Sequence, residues 1–466
     1  MNGAGGLLTS LAFVAVLVGA VYMARSRTTG EVRPTGADAV AVGARRGARR
    51  SGRVGLSREE LQQGVLVGGS PGAGKTTLLA QLVRALPADV GVLFVDLKGD
   101  RSLPLALGVR AERVFGLGDR GEGQWSPLEG GNAASWRDIL MSAEEWTEPH
   151  FRRAAARFIG AVLAGLKQAR AMVELDEVIE LLEHPKKAVG LVRDLEGRDR
   201  AVLARAVAAI EGEASLRSGV LGLGNRLALL RDSPATCGRF GTAGGIDLAE
   251  VLRGERVLFS LPAAEFPDEA PAIAAAAIQA LGAAGQRLAL ADETLRALLV
   301  VDEAPRLAGE QLREAVAIGR GAGIGAVVAV QDFADLDYVA PGTREAVETG
   351  ANTWIVMRQV ASAERIADAL GTQTTTRQTI QRDRLRPLFS DTGMRSERQV
   401  EEYRVSPNVI RSLDRGEAIV WRRLRGTLDR VAIPVIDAPN SAASSAPAVE
   451  EHAIVQAGAR PRNRER

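Results

Sequence analysis

The stretch "GGSPGAGKTT", Gly68 to Thr77, carries the densest chemistry in the chain. Its spacing is G-x4-G-K-T, with Gly69, Gly74, Lys75 and Thr76 in the defining positions. Ser70, Pro71, Gly72 and Ala73 lie between them, and Thr77 follows. A glycine-rich loop of this kind lets backbone N–H groups close around phosphate oxygens at a helix N-terminus, where the helix dipole favours negative charge. Lys75 is then placed to reach the β and γ phosphates of a nucleotide, and the Thr76 hydroxyl to ligate Mg2+. The expected ligands are ATP and Mg2+.

A second constellation completes a hydrolytic site. In "LLVVDEA" an apolar run ends on Asp302 and Glu303, so both acids fall at the carboxyl end of a buried strand. Asp302 is expected to hold the metal. Glu303 is expected to orient and deprotonate the attacking water, because hydrolysis needs a base in line with the terminal phosphorus. No guanine-reading "NKxD" occurs, which favours ATP over GTP. "IGRGAGIGAVVAVQD" places Arg320 in a glycine-rich loop and Gln331 at the end of the following strand. A strand-end Gln beside the Asp302 strand can sense the γ-phosphate, and an Arg at a subunit rim can complete a neighbour's site. Asp96 and Lys98, in "FVDLKGD", end another strand, and the residues alone do not separate catalysis from structure there.

These residues need a sheet to hold them. Short β-branched runs recur at 64–69, 90–100, 256–262, 297–304, 325–332 and 352–359. Unalternating apolar runs of this length suit strands buried on both faces of a parallel sheet. Helical stretches such as "TTLLAQLVRAL" lie between them, so the fold class is α/β with helices on both sheet faces. From 136 to 231 the strands stop. Phe158, Ile159, Val162, Leu163 and Leu166 share one helical face, as do Leu175, Val178, Ile179 and Leu182. That stretch reads as an all-helical insertion into a sheet domain covering 54–135 and 232–440. Residues 25–53 read as a basic flexible linker, and 441–466 as a disordered tail.

The chain of 466 residues has 46% hydrophobic residues, ample for a core, and a net charge of +2 that excludes a polybasic coat. One cysteine, Cys237, excludes a disulfide framework, and three histidines leave little room for zinc. The uncharged segment Leu7–Ala24 would rise roughly 27 Å as a helix, close to a bilayer core. "MNGAGG" lacks a basic region, which disfavours a cleaved signal peptide. Eight arginines between Arg25 and Arg53 put the following residues in the cytoplasm by the positive-inside rule. A single-pass anchor in the cell's inner (cytoplasmic) membrane is therefore expected within residues 1–24.

The order "GLSREELQQGVLVGGSPGAGKTT", "VLFVDLKGD", "SPLEGG", "VLFSLP", "LLVVDEAPRL", "GRGAGIGAVVAVQD", "NTWIVMRQVASAERIADALGT" and "SPNVIRSLDRGEAIV" resembles the TraD/TraG-type coupling proteins of conjugation and type IV secretion, relatives of the FtsK/HerA DNA-pumping ATPases. The resemblance runs from about Val54 to Ile436. It implies a RecA-like phosphate-loop NTPase domain with the helical insertion, preceded by one transmembrane helix. It also implies a homohexameric ring that takes a relaxase–DNA complex to the proteins of a type IV secretion channel, with Arg320 as arginine finger and Gln331 as the strand-end sensor. Departures are one anchor where such proteins commonly have two, Gly64 where a His often stands, and "SPLEGG" in place of an Asn-Pro-Leu. With 4% aromatic residues, base-stacking platforms are not expected, so DNA would be held by its phosphates in the ring pore. The polar, basic segment 371–387 reads as a mobile surface loop that could also touch DNA.

Overall fold

The structure is a computed structural model that describes residues 39–46, 52–288, 294–307, 309–317, 322–382 and 391–434, with the side chains of 377–396 left aside. The strands in chain order are β1 (Ala39–Arg45), β2 (Arg53–Ser57), β3 (Val65–Gly68), β4 (Gly91–Asp96), β5 (Val114–Gly116), β6 (Arg256–Ser260), β7 (Ala297–Asp302), β8 (Ile324–Val330), β9 (Thr353–Val356), β10 (Thr372–Arg382), β11 (Asp391–Tyr403), β12 (Glu417–Arg422) and β13 (Thr427–Ala432). Eleven of them form one sheet in the order β2-β1-β13-β12-β9-β3-β8-β7-β4-β6-β5, while β10 and β11 pair as a separate ribbon.

The two ends of this sheet differ for a physical reason. From β9 to β5 all neighbours run parallel. Every residue of β3, β4, β7 and β8 is buried, as expected when helices cover both faces. The chain then returns antiparallel through β12, β13, β1 and β2. On β2 buried positions alternate with accessible ones, the pattern of a sheet wetted on one side, and on β13 only Val431 is buried.

Between β5 and β6, residues 133–232 form helices with no strand among them: Ala133–Ser142, Pro149–Ala169, Leu175–Glu183, Ala188–Asp194, Gly197–Gly212 and Ala214–Asp232. Phe158, Ile159, Val162, Leu163 and Leu166 are all buried on the long second helix, and Leu175, Val178, Ile179 and Leu182 on the third. These helices are not a separate body. Their core is continuous with that of the sheet. Arg226 donates to the Asp268 carbonyl at 2.9 Å and Gln311 to that of Ser142 at 2.9 Å, tying them to the elements beneath.

Two stretches differ from their reading in the sequence. Residues 39–45, inside the expected linker, form β1, because Val40 and Val42 are buried once β2 and β13 pair on either side. Within 371–387, Thr372–Arg382 is a strand rather than a loop. Its Thr-rich sequence suits extended backbone, and its pairing with β11 runs from Thr372↔Tyr403 to Arg382↔Asp391. Among the described residues no helix is long and apolar enough to cross a membrane. The expected span 7–24, the tail 441–466 and Arg320 lie outside the described residues.

Candidate active site

The site residues gather at the carboxyl ends of adjacent parallel strands, where open α/β sheets bind ligands. The register sets Gly68 of β3 beside Val330 of β8 and Val356 of β9, and Asp302 of β7 beside Asp96 of β4. The strands beyond β3 follow the order β8, β7, β4. Gln331, which follows β8, therefore stands between the phosphate loop and the paired acids.

The loop is shaped by what surrounds it. A Cβ on Gly68 would lie 1.9 Å from Gln359 Nε2 and 2.4 Å from the Phe333 ring, so only glycine fits beneath the loop. Gly74, at φ 106° and ψ 20°, turns the chain into the helix Lys75–Ala85 in a conformation open to glycine. Ser70 donates both its N–H, at 2.7 Å, and its hydroxyl, at 2.6 Å, to the Arg358 carbonyl after β9. The Ala73 carbonyl accepts from Gly416 N–H at 2.9 Å, so the turn ahead of β12 braces the far side. Pro71 and Gly72 remain exposed at the crest, and Thr77 is half-buried in the first helical turn.

Lys75 is buried and its Nζ donates to the Gly69 carbonyl at 2.6 Å, folding the amine into the loop's concavity. Burial holds it below the ordinary lysine range, with Lys98 adding to that effect while Asp302 and Glu303 oppose it. The Thr76 hydroxyl donates to Asp302 Oδ2 at 3.3 Å. Asp302 is 1% exposed, and burial, reinforced by Asp96 and Glu303, pushes its carboxyl up to about 6 against the pull of Lys75.

Glu303 has φ 60° and ψ 41°, the left-handed region that a long side chain seldom occupies. Such backbone strain clusters at functional sites and costs roughly 1–3 kcal/mol. Its carboxylate accepts from Gln331 Nε2 at 2.9 and 3.0 Å, one bond to each oxygen. The Gln331 amide thus fixes the acid while leaving lone pairs for a water.

The donor set fits Mg2+. A hydroxyl and a buried carboxylate within 3.3 Å are hard oxygen ligands. Mg2+ is held through one or two carboxylates together with substrate phosphates and waters rather than by a full protein cage. Asp302, crowded by two further acids, gains from a cation. Among the described residues no group of three His, Cys, Asp or Glu offers a metal cage elsewhere.

The structure separates the roles of Asp96 and Lys98. The Asp96 carboxylate is fully buried and accepts from Lys98 N–H at 3.0 Å and Asp100 N–H at 2.6 Å, so it builds the loop after β4. Burial pushes it up while these donors pull it down. Other site-building residues have no signal in the local sequence. Asp332 gathers Val360 and Ala361 N–H at 3.3 and 3.1 Å and the Ser362 hydroxyl, locking the loop after β8 to that after β9. Asp335 sits where the charges of Glu303 and Lys75 both reach it. These partners meet only in the folded chain.

Residues 296–415 match the family described as the TraM recognition site of TraD and TraG. Curated proteins yield no match. Among solved structures, the bacterial conjugative coupling protein TrwBdeltaN70 in an unbound form is similar at TM-score 0.63 and 19% identity, over 82% of this chain and 87% of that one. The plasmid coupling protein TrwB in complex with ADP and Mg2+ gives TM-score 0.62 and 18% identity, over 83% and 89%. VirB4 of Thermoanaerobacter pseudethanolicus gives TM-score 0.53 and 15% identity, over 88% and 99%. At these identities the likeness establishes a shared fold, a mixed α/β structure around a large parallel sheet. The resemblance to TraD/TraG-type coupling proteins, carried in the sequence by an ordered set of motifs, is thus met again in a recognition-site match over residues 296–415 and in the fold of a conjugative coupling protein over 82% of the chain.

Proposed function

We propose that this chain is an ATP-hydrolysing motor of the type IV secretion kind, and more finely a membrane-anchored coupling ATPase that takes DNA with its relaxase to a secretion channel. The observation that carries the reading is the meeting of Lys75, the Thr76–Asp302 pair and the Glu303–Gln331 pair at one end of a parallel sheet. The similar protein TrwB has been solved with ADP and Mg2+ and with the ATP analogue ADPNP, which supports ATP and Mg2+ as ligands here.

In this reading the loop Gly69–Thr77 cradles the phosphates with its backbone N–H groups, and Lys75 neutralises the oxygens that gain charge as the terminal bond breaks. Thr76 and Asp302 hold Mg2+, which when bound offsets phosphate charge and fixes the phosphates in line for attack. Glu303, oriented by Gln331, accepts the proton of the attacking water. Arg320 of a neighbouring subunit supplies a further positive charge, a contribution on the order of 10³-fold in arginine-finger enzymes. A head-to-tail arrangement of that kind closes into a ring, here a homohexamer with DNA phosphates in its pore. Residues 7–24 anchor the ring in the inner membrane, 54–135 and 232–440 form the motor, and 136–231 form the helical insertion.

The test is the ATPase rate of the full-length protein in detergent with no nucleic acid, with single-stranded DNA and with duplex DNA. A DNA-stimulated rate is expected. Turnover indifferent to both DNAs would favour a second reading, a nucleotide-gated docking receptor, which the match to a recognition site also suits. The trans role of Arg320 is read separately. Arg320→Ala and Lys75→Ala are each expected to be inactive, while their mixture regains hydrolysis once subunit exchange is demonstrated with labelled protein.

A further inference from the structure

Lys98 is the one residue of the "FVDLKGD" motif whose side chain the fold leaves unused. The loop that carries it is tied at almost every backbone position. Leu97 N–H donates to the Asp302 carbonyl at 3.3 Å, and Leu97 O accepts from Ala263 N–H at 3.0 Å. Lys98 N–H and Asp100 N–H are held by the buried Asp96 carboxylate. The Gly99 carbonyl accepts from Arg120 Nη1 at 2.7 Å. The neighbouring cations are also committed, Arg101 in a two-point pair with Asp119 and Arg120 with Glu265. Of the cations on and beside this loop, the Lys98 ammonium has neither a carboxylate nor a hydrogen-bond acceptor, and it is exposed. A loop fixed this firmly around a free cation is expensive to build for a solvated surface lysine, which needs no particular backbone.

Its place in the sheet says what the cation faces. β3, bearing the phosphate loop, and β4, bearing Lys98, flank β8 and β7. The acids Asp302 and Glu303 and the sensor Gln331 therefore lie between the two lysines, with Asp302 the direct neighbour of Asp96. The terminal phosphate of a nucleotide on the loop has to sit over those acids to be attacked, with Lys75 on one side. The other side lies toward the β4 loop that carries Lys98, whose charge is close enough to act on Lys75.

We propose that Lys98 is a catalytic residue, a second cation that contacts the terminal phosphoryl oxygens of bound ATP from the β4 side. The proposal rests on the ATPase reading. No proton passes through Lys98: the water oxygen bonds to phosphorus, the bond to the β-phosphate oxygen breaks, Glu303 receives the water's proton, and ADP and phosphate leave. Lys98 only lowers the energy of the charge that gathers on the transferred group, as fixed cations do in phosphoryl transfer.

The test compares intact full-length protein with Lys98→Met and Lys98→Arg for binding of ADP and of ADPNP, each with Mg2+, and for ATP turnover. Lys98→Met should keep its affinity for ADP within about twofold, weaken ADPNP by on the order of 10-fold and lower kcat by on the order of 10²-fold. Lys98→Arg should recover most of both. ADPNP binding and kcat unchanged in Lys98→Met would overturn the proposal. So would an equal loss of ADP and ADPNP affinity with no recovery in Lys98→Arg, which would give Lys98 a purely structural role in the loop. An intact protein that binds no nucleotide would instead overturn the ATPase reading beneath it.

Discussion

The strand ends that hold the candidate site and the helices of 133–232 use buried residues in opposite ways. At the strand ends, Lys75, Asp96 and Asp302 are buried charged groups within one cluster. Across 133–232 no buried polar or charged side chain occurs, and the core there is Leu, Ile, Val, Ala, Phe, Trp and Met. Burying an ionisable group is costly unless partners compensate it. A chain that avoids this over a hundred consecutive residues, then gathers Lys75 and Asp302 with the loop-building Asp96 at the carboxyl ends of central strands, concentrates buried charge beside the candidate site as well as in the ion pairs of Glu60, Glu348, Glu417 and Arg422. Glu303 in the left-handed region adds strain at the same strand ends. The helical segment is built for packing, and the strand ends are built for charge.

Substitutions on the two sides of this contrast should separate activity from stability. The largest effect belongs to Lys75→Ala, which should abolish ATP turnover, by on the order of 10³-fold or more, with little change in melting temperature. Loss of the fold instead would make Lys75 a structural residue. Glu303→Gln should retain nucleotide binding and lower turnover by about 10²- to 10⁴-fold, the range of a lost general base. Fluorescent-nucleotide titration alongside turnover checks it, and unchanged turnover would remove Glu303 from that role.

The helical side should behave in reverse. Phe158 is 1% exposed in the core of Pro149–Ala169, so Phe158→Ala should destabilise by about 3–5 kcal/mol through lost burial and a residual cavity. The protein that remains folded should turn over ATP at the normal rate, measured against active-site concentration. A drop in kcat larger than the unfolded fraction would join the two regions functionally.

A smaller effect has a defined pH sign. Asp302 binds its proton more tightly folded than unfolded, so its ionisation weakens the fold as pH rises from its ordinary value of 3.8 toward about 6. Asp302→Asn removes that cost, on the order of 3 kcal/mol. Without nucleotide or metal, Asp302→Asn should melt higher than the intact protein at pH 7.5, and the gap should close as pH falls toward 4. A gap independent of pH would mean the Asp302 carboxyl is not destabilised by its surroundings. The same variant should lose turnover, since the metal's carboxylate is gone.

Much of the sheet was legible because its interior strands are continuous apolar runs. β3, β4, β6, β7 and β9 lie within stretches that read as buried strands, and β8 does but for Ile324. β13 was not legible. "TLDRVA" places Asp429 and Arg430 in a strand, and these are settled by pairing, with Asp429 meeting Arg422 at 2.8 Å and Arg430 meeting Glu417 at 2.8 Å. β1 escaped for the same reason, since its short Ala-Val-Gly run becomes a strand only when β2 and β13 flank it. Strand order was beyond local reading too, because any order buries the same apolar side chains.

Composition and spacing alone determined the phosphate loop, the acid pair at a strand end, and the apolar stripes of the helices. Each is a local property: a loop's conformational freedom, a strand's length, a helix's period. The folded chain decided which strand ends became neighbours. It set Gln331 against Glu303, joined Ser70 to the Arg358 carbonyl 288 residues away, and braced Ala73 with Gly416. It also gave Asp96 a structural task while leaving the Lys98 ammonium free. Those outcomes depend on side chains distant in sequence sharing a few ångströms of space. Hydrophobic periodicity specifies which face is buried, but leaves open what each polar group will meet there.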